Sequence, residues 1–309
     1  MSSSPEEIVL HCEDGVKLAG QRYRSSTTES SNVVPCRILC WHGWLDNCRS
    51  FLQLGSTLTA DTSPLVVDLV AIDFPGHGQS SHKSLDGPTT ILMDYVYYVH
   101  EAIHKLHWEN ENITLIGHSM GAAICLLYAA AFPIYKLILL DSLGPQTKPP
   151  NKVVSGFRSH IRQRLAGKAK QSEYESFSAA VQTRCATAKM FPGNQYISKA
   201  AATELVTRAS RLIQGGKLQF LHDPRVKWSS MLFLVPEQVD QLYRDIASTE
   251  TMTCLLLAED GMPFDSNEVS RARDLLKPAM FQTLPGSHHF HMDPDSAQQV
   301  VTEIANFLK

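Results

Sequence analysis

The chain has 309 residues, of which 43% are hydrophobic and 19% are charged, with a formal net charge of −3. This composition is too apolar for a disordered chain and is typical of a folded protein with one or two domains. The small negative net charge argues against the overall basic balance that is typical of nucleic-acid-binding proteins, so we expect no nucleic-acid partner. It also gives the chain no general attraction to anionic membranes.

The cysteines and the N-terminal residues favour an intracellular protein. The seven cysteines are an odd number without a Cys-x-x-Cys pair, so we expect free thiols in a reducing compartment. The first residues, MSSSPEEIVLHCEDG, lack a basic start and a long apolar stretch, unlike a signal peptide. The sequence has no run of 18 apolar residues, so we predict no transmembrane helix. We therefore expect a cytoplasmic location, and association with peroxisomes or another organelle stays open.

The predicted elements of the first half alternate between strands and helices. Ile8–His11 and Lys17–Tyr23 predict a hairpin around the turn 13–15. Further strands are predicted at Arg37–Trp41, Val66–Ile72, Ile113–Ile116 and Lys136–Leu140. Helices are predicted at Phe51–Leu58, Thr89–Trp108 and Met120–Phe132. Continuous apolar strands joined by helices favour an α/β fold, with a mostly parallel sheet covered by helices on both faces.

This alternation stops after residue 144. The next hundred residues are mostly helical or irregular, contain no convincing strand, and are richer in Lys, Arg, Gln and Ser. The alternation then resumes with a strand, a helix, a strand and a helix at Met252–Ala258, Ser270–Leu276, Met280–Leu284 and Ser296–Leu308. We therefore predict a core domain formed by residues 1–144 and 250–309, interrupted by a helical cap at 145–249.

The strongest chemical motif is Gly117-His118-Ser119-Met120-Gly121, which fits the pattern Gly-x-Ser-x-Gly. A predicted strand precedes it and a predicted helix follows it, which is the context of a nucleophile elbow. The turn is so tight that side chains at the two glycine positions would collide with neighbouring elements. Ser119 is therefore the candidate nucleophile.

A serine hydroxyl needs a base to take its proton. The His-rich loop Pro285-Gly286-Ser287-His288-His289-Phe290-His291 follows the last predicted strand, where a histidine can reach back over the sheet. His288 is the candidate base, and His289 is the alternative. We interpret His291 as a structural histidine with a satisfied ring. The spacing does not match a known metal motif, so we expect neither a metal nor a cofactor.

The acid that would orient the histidine stays open between two aspartates. Asp260 follows the predicted strand Met252–Ala258, and Asp141 follows the predicted strand Lys136–Leu140. Both stand at carboxyl ends of strands, where catalytic groups of α/β proteins gather. Asp260 is preferred and Asp141 is the alternative, while Glu259 and Asp265 are weaker candidates.

Two backbone amides are needed to stabilise the oxyanion of an acyl-transfer reaction. Met120 follows the candidate nucleophile directly and supplies the first one. The loop His42-Gly43-Trp44 follows a buried strand and has a known oxyanion-loop form, so the Trp44 amide is the second candidate.

Taken in order, four motifs resemble the α/β-hydrolase superfamily: His42–Asn47, Asp73–Ser80, Gly117–Gly121 and the histidine loop 286–291. Within it, His42–Asn47 and the ending His288–Met292 look most like the serine hydrolase-like protein subgroup. The resemblance implies the α/β-hydrolase fold, with a mostly parallel eight-stranded sheet, helices on both faces, a helical cap inserted after strand six, and a Ser–His–acid triad. The family pattern commonly places the acid about where Gly261 stands here, which keeps Asp141 open.

These residues predict a serine hydrolase that cleaves a small ester, thioester or amide through an acyl-enzyme. A serine at the elbow argues against relatives that attack with aspartate. Carbon–carbon bond hydrolases and haloperoxidases keep the serine and stay open, as does a non-catalytic receptor that senses a small ligand. A small-molecule acyl substrate is the expected partner, and the oligomeric state is not predicted.

The cap carries two features without an assigned role. Its basic run Arg158–Lys170 favours a solvated helix, with an anionic substrate or a membrane surface as the alternative. Its aromatic residues are predicted to form either a lid over the cleft or a small core of the cap itself: Phe157, Phe177, Phe191, Tyr196, Phe220, Trp228, Phe233 and Tyr243.

Overall fold

A computed structural model describes residues 4–26, 33–84, 91–166 and 171–309 of the chain. The strands of these residues are, in chain order, β1 (Glu6–His11), β2 (Lys17–Arg24), β3 (Cys36–Trp41), β4 (Val67–Ile72), β5 (Ile113–His118), β6 (Lys136–Leu140), β7 (Glu173–Tyr174), β8 (Ser210–Leu212), β9 (Leu218–Phe220), β10 (Met252–Asp260) and β11 (Met280–Ser287). The helices are α1 (Leu52–Leu58), α2 (Asp94–Lys105), α3 (Met120–Ala131), α4 (Val153–Leu165), α5 (Phe177–Ala188), α6 (Lys199–Arg208), α7 (Pro236–Ala247), α8 (Ser266–Leu276) and α9 (Ala297–Leu308).

Eight strands form the main sheet, in the order β1-β2-β4-β3-β5-β6-β10-β11. The pairs β1–β2 and β2–β4 are antiparallel. The other six strands of this sheet, which are β4, β3, β5, β6, β10 and β11, run parallel to one another. The predicted α/β fold with an eight-stranded, mostly parallel sheet is therefore confirmed. The predicted start of one helix, at Thr89, lies outside the described residues, and α2 begins at Asp94.

Helices cover both faces of this sheet because its central strands are apolar on both sides. In β3, Ile38 and Cys40 belong to the apolar cluster that contains residues of α1 and α9. Leu39 and Trp41 point the opposite way, into the cluster that contains residues of α2, α3 and α8. Successive side chains of a strand point to opposite faces, so a continuous apolar run can be buried on both.

The region 145–249, called here the cap region, has a small apolar cluster of its own, formed mainly by α5 and α6. It also contains a second sheet, in which β9 lies between β7 and β8. The sequence prediction of no strand in this region was wrong, because strands of two or three residues are too short to show a periodic pattern.

Helix α7 packs differently from the rest of the cap region. Its residues Val239, Tyr243 and Ile246 belong to an apolar cluster of the main sheet, and the Tyr243 hydroxyl donates to the Leu143 carbonyl. The division of the chain at residues 145 and 249 thus stays a prediction, with α7 on the sheet side of the packing.

The parallel strands end at one edge of the sheet, and the candidate site residues follow those ends. The His42–Trp44 loop follows β3, Ser119 follows β5, and Asp141 follows β6. Gly261 follows β10 and His288 follows β11. Residues from five distant parts of the chain therefore lie at the carboxyl-terminal edge of the parallel strands. Ligand sites of open α/β sheets lie at this edge.

Candidate active site

Ser119 stands at a strained turn between β5 and α3. Its backbone has φ 51° and ψ −114°, a conformation that a residue with a side chain rarely adopts. The Ser119 amide donates to the Leu140 carbonyl of the neighbouring strand end at 3.0 Å, which helps to hold the turn. All six residues of β5 are buried, whereas Ser119 and Met120 are partly accessible, so the turn presents the serine to solvent. Strain of this kind clusters at functional sites.

The two glycines of the motif are required by close backbone approaches. A Cβ atom at Gly117 would lie 2.4 Å from the backbone of Ala122 at the start of α3. One at Gly121 would lie only 2.1 Å from the Trp41 carbonyl oxygen. Both contacts are far shorter than packed atoms tolerate, so the sequence pattern follows from how tightly α3 sits against β3 and β5.

His288 contacts a buried carboxylate, and that carboxylate belongs to Asp141. The Nδ1 atom of His288 lies 2.5 Å from Oδ2 of Asp141. The Ala258 amide donates to Oδ1 of Asp141 at 3.0 Å. The Met262 amide donates to Oδ2, the oxygen that also contacts His288, at 2.9 Å. Asp141 is fully buried and has a positive φ of 45°, so its direction is fixed by the backbone and by three hydrogen-bonding partners. A carboxylate held in this way can orient an imidazole ring and stabilise its protonated form.

Asp260, which the sequence favours as the acid, does not make this contact. Its side chain is exposed at the end of β10, where Oδ1 accepts one long hydrogen bond of 3.5 Å from Asn194. Glu259 is exposed too, and Asp265 caps the first turn of α8. Of the two candidates, Asp141 and not Asp260 contacts His288, and we carry Asp141 forward as the proposed acid.

The physical reason lies at Gly261. A Cβ atom there would lie 2.3 Å from Oδ2 of Asp141, so the Asp141 carboxylate fills the space that a side chain at position 261 would take. The resemblance noted from the sequence implies an acid at about position 261. The glycine at that position, read together with an aspartate directly after β6, is the sequence signal that distinguishes Asp141 from Asp260.

The loop after β3 lies against the elbow. The Asp46 amide donates to the Gly43 carbonyl at 3.1 Å, and this hydrogen bond closes a turn whose two middle residues are Trp44 and Leu45. Leu45 has a positive φ of 61°. A Cβ atom at Gly43 would lie 2.8 Å from Nδ1 of His118, the residue before Ser119. Within the described residues, neither the Trp44 amide nor the Met120 amide donates a hydrogen bond to the protein. Two backbone donors near the nucleophile thus remain available to a ligand oxygen.

The model of the alpha/beta hydrolase family matches residues 38–303. The chain belongs to this family. A probable serine hydrolase of Drosophila melanogaster is 30% identical over 88% of this chain and 80% of that protein, and a serine hydrolase-like protein of Danio rerio is 29% identical over 86% and 80%. The crystal structure of a hypothetical protein from Pseudomonas aeruginosa PAO1 has a TM-score of 0.81 at 29% identity and covers 99% of both chains. These similarities support a hydrolase function, and the earlier recognition of the superfamily and its serine hydrolase-like subgroup is confirmed.

Four histidines of this hydrolase surround the elbow: His118, His288, His289 and His291, called here the histidine cluster. The Nε2 atom of His118 lies 2.8 Å from the carbonyl oxygen of His288, so the residue before Ser119 holds the backbone of the candidate base. The His118 ring lies 4.1 Å from the His291 ring, measured between centroids. The cluster therefore ties the end of β5 to the loop after β11.

His289, the alternative base, is paired with a different carboxylate. Its Nε2 lies 3.1 Å from Oδ2 of Asp46, and Nδ1 of His118 lies 3.6 Å from the same oxygen. Burial lowers the pKa of His289 to about 3 against the opposing effect of Asp46. His289 is thus a neutral, buried ring whose carboxylate partner is Asp46 and not Asp141.

Arg184 of α5 completes this arrangement from the cap region. Its guanidinium donates to Oδ1 of Asp46 at 2.6 Å and lies 3.2 Å from Nε2 of His289. Burial alone would raise the pKa of Asp46, but His289 and Arg184 outweigh it and hold that pKa well below its ordinary value. Asp46, His118 and Arg184 are not among the residues that the sequence predicts for the site. Asp46 lies in the His42–Asn47 motif and His118 lies in the Gly117–Gly121 motif. The residues around Arg184 form no motif that would indicate a role for it.

Asp46, His118 and His289 also have the chemistry of a metal site. One ligand atom from each lies within 4.8 Å of the other two, and all three residues are buried. Carboxylate and imidazole suit zinc and similar ions. The Arg184 guanidinium already places a positive charge against this group, so a cation would have to displace it. The expectation of a site without metal stays a prediction.

His291 was expected to have a satisfied ring, and this was wrong. Neither of its nitrogens has a hydrogen-bond partner among the described residues, although only 2% of the residue is exposed. Burial lowers its pKa well below the ordinary value, with smaller contributions in the same direction from His118 and His289. A neutral ring packed against Phe51 and His118 is the consequence.

Several polar contacts fasten the cap region to the core next to this site. Arg208 of α6 donates to Asp73 at 2.8 Å, and the Trp44 indole donates to the Val226 carbonyl at 2.9 Å. The exposed ring of Trp44 also meets Phe191 edge-on, with 6.2 Å between the ring centroids. The loop after β3 and the cap region thus share one boundary. Within the described residues, no helix is long and apolar enough to cross a membrane.

Proposed function

We propose that this protein is a serine hydrolase that cleaves a small ester, thioester or amide through an acyl-enzyme. The observation that carries the proposal is the 2.5 Å contact between His288 and the buried Asp141 carboxylate. It is supported by an accessible serine at a strained strand–helix turn, whose preceding residue His118 contacts the His288 carbonyl. A buried aspartate that fixes one imidazole nitrogen leaves the other nitrogen free to accept a proton.

In the first half of the reaction, Oγ of Ser119 attacks the substrate carbonyl carbon while its proton passes to Nε2 of His288. The negative charge that develops on the carbonyl oxygen accepts hydrogen bonds from the amides of Trp44 and Met120. The intermediate then collapses, the bond to the leaving group breaks, and the leaving group takes the proton from His288. An ester of Ser119 with the acyl group remains.

In the second half, a water molecule attacks this ester and gives a proton to His288. The same two amides stabilise the second intermediate, and its collapse returns the proton to Oγ of Ser119 and releases the carboxylic acid. Throughout, the ionised Asp141 stabilises the imidazolium form of His288. The start of α3 adds a favourable field for negative charge at the Met120 amide.

The edge between Trp44 and Phe191 supports an apolar acyl group. Trp44 carries one proposed oxyanion donor on its backbone, and its side chain is 37% exposed next to Phe191, which is 38% exposed. Exposed aromatic rings beside the reacting carbonyl would cover hydrocarbon that the substrate brings. Among the aromatic residues of the cap region, Phe191 is therefore proposed as part of the acyl pocket.

A fluorophosphonate probe tests the nucleophile, because it reacts with activated serines. We expect the native protein to be labelled at Ser119, Ser119→Ala to lose both labelling and turnover of p-nitrophenyl esters, and Ser142→Ala, a change at a neighbouring buried serine, to keep both. Ligand-induced thermal stabilisation with no turnover, unchanged by Ser119→Ala, would instead support a receptor. An unlabelled native protein would contradict the proposed chemistry.

A further inference from the structure

Helix α4 of the cap region divides into an inward and an outward face. Its inward face is held by polar contacts to one segment, since Nδ1 of His160 lies 2.9 Å from the Ser229 carbonyl and the Ser229 amide donates to Gln163 at 2.6 Å. His160 is the one residue of the helix that is fully buried. The opposite side of the helix has no such contacts among the described residues and faces solvent.

Apolar side chains line this outward face. Val154, Ile161 and Leu165 are 65%, 50% and 79% exposed. At roughly 100° of rotation per residue, these three positions and Arg158 fall within about 60° of one another around the helix axis. Leu232, which is 54% exposed, borders the first turn of the helix across a small cleft. Neighbouring exposed apolar side chains on one helix face are a candidate interaction surface.

Basic side chains flank the stripe. Arg158 lies within it, and Arg162 and Arg164 lie on either side, at roughly 80° from Val154 in opposite directions. All three are exposed, and none forms an ion pair with another described residue. The neighbouring Lys152 is also exposed at the start of the helix.

The charge is concentrated in this part of the chain. From Ser142 to Ser172 the sequence contains seven basic residues and no acidic one, whereas the whole chain has a net charge of −3. The remaining residues therefore carry a net charge of −10. A strongly basic segment on a protein whose other residues are acidic overall orients that segment toward a negatively charged partner.

We propose that the outward face of α4 docks on the surface of an anionic phospholipid membrane, with Val154, Ile161 and Leu165 in the acyl–headgroup boundary and the arginines on lipid phosphates. The stripe favours a membrane over a nucleic acid, because exposed aliphatic side chains gain little from a phosphate backbone and much from lipid. Arginine side chains reach outward from such a stripe to the headgroups. The helix would lie in the interface without crossing it.

Vesicle co-sedimentation of the full chain tests the proposal, with phosphatidylcholine vesicles that contain either no anionic lipid or about 30% phosphatidylserine. We expect binding to the anionic vesicles to be at least about tenfold tighter. Each basic residue near such a surface contributes about fivefold, so Arg158→Gln, Arg162→Gln and Arg164→Gln together should weaken binding by on the order of 100-fold. Ile161→Gln with Leu165→Gln should weaken it at least about tenfold.

Matched controls separate this docking from general charge and from catalysis. Lys189→Gln, Lys199→Gln and Arg244→Gln remove three exposed charges elsewhere and should leave vesicle binding nearly unchanged. Ser119→Ala should bind vesicles like the native protein, so failure of the proposed enzyme and failure of the docking are distinguishable. All variants should keep their unfolding temperature.

Three results would overturn the membrane assignment. Equal binding to both kinds of vesicle would remove the role of charge, and an equal loss in the control triple would remove the role of α4. Binding to single-stranded RNA that needs the arginines but not Ile161 and Leu165, with no vesicle binding, would assign the surface to nucleic acid instead.

Discussion

The main sheet and the cap region bury their residues to different degrees. Every residue of β4, β5 and β6 is buried, and the site residues follow directly from the ends of such strands. In the cap region, α4 buries one residue and its strands are two or three residues long. A rigid sheet can hold reacting groups in fixed directions, whereas a lightly buried cap can change its surface at low cost in stability. The sheet should therefore determine the rate, and the cap region the choice of substrate.

The largest expected effect comes from the proposed acid, Asp141. Asp141→Asn should lower kcat by about 10⁴-fold, because an amide can no longer hold the imidazole in the required tautomer. Asp260→Asn, at an exposed position, should change kcat by less than about twofold. Steady-state turnover of a p-nitrophenyl ester, with the unfolding temperature of each variant, checks the pair. A rate loss in the Asp260 variant alone would return the role to Asp260.

Gly261→Ala should give the next largest effect. The added methyl group would lie 2.3 Å from Oδ2 of Asp141 and push the carboxylate away from His288. A displacement of about 1 Å at a catalytic group can lower kcat by on the order of 10²-fold. Gly156→Ala is the control, since the nearest atom to its added methyl is 3.5 Å away. If the Gly261 variant keeps full activity, the tight contact with Asp141 has no catalytic consequence.

The buried histidines make the stability of the sheet domain depend on pH. His291 is neutral when folded because burial lowers its pKa, whereas the unfolded chain binds a proton there below about pH 6.5. The unfolded state then holds more protons, so the free energy of unfolding falls as the pH falls below that value. His291→Phe should reduce this slope by up to about 1.4 kcal/mol per pH unit.

Urea unfolding at several pH values between about 7 and 4.5 measures this slope. His11→Gln is a suitable control, because His11 is exposed on β1 and solvent reaches it in both states. An unchanged slope in His291→Phe would mean that the ring is protonated, or reached by water, in the folded protein.

The smallest effect should come from the cap region. Phe191→Ala should lower kcat/KM for long acyl esters by about five- to tenfold and leave acetyl esters nearly unchanged, because it removes apolar contact beyond the carbonyl. Phe177→Ala, at a similarly exposed position without a contact to Trp44, is the control. A uniform loss for all chain lengths would show that Phe191 supports the oxyanion loop instead, and would weaken the division between rate and substrate choice.

The sequence predicts two kinds of feature in this fold. One is a strand or helix with a periodic apolar pattern, and the other is a turn whose close backbone contacts leave room only for glycine. The central strands of the main sheet are visible as apolar runs, and the elbow is visible because a side chain at Gly117 or Gly121 would collide with the backbone. The strands of the cap region are too short to produce a pattern. The choice between Asp141 and Asp260 depends on which strand end faces the histidine loop, and the sequence carries that information only indirectly, in Gly261.

The network behind His288 is harder to predict because its members come from separate motifs. Asp46 lies in the loop after β3 and His118 lies in the elbow, and their contact is a consequence of strand order. Arg184 reaches Asp46 across 138 positions of sequence, from a helix whose text has no distinguishing feature. Long-range polar contacts of this kind become visible only once the topology is known.

The close contact between Gly261 and Asp141 has a consequence for how such sites are compared between proteins. The carboxylate of the proposed triad fills a volume beside His288. A side chain at the end of either β6 or β10, two neighbouring strands, could place a carboxylate at that point. In this chain, an acid on one strand end requires a glycine on the other, so the two positions are complementary. An alignment that asks for an acid in one column would score this protein as defective, although the volume itself is filled.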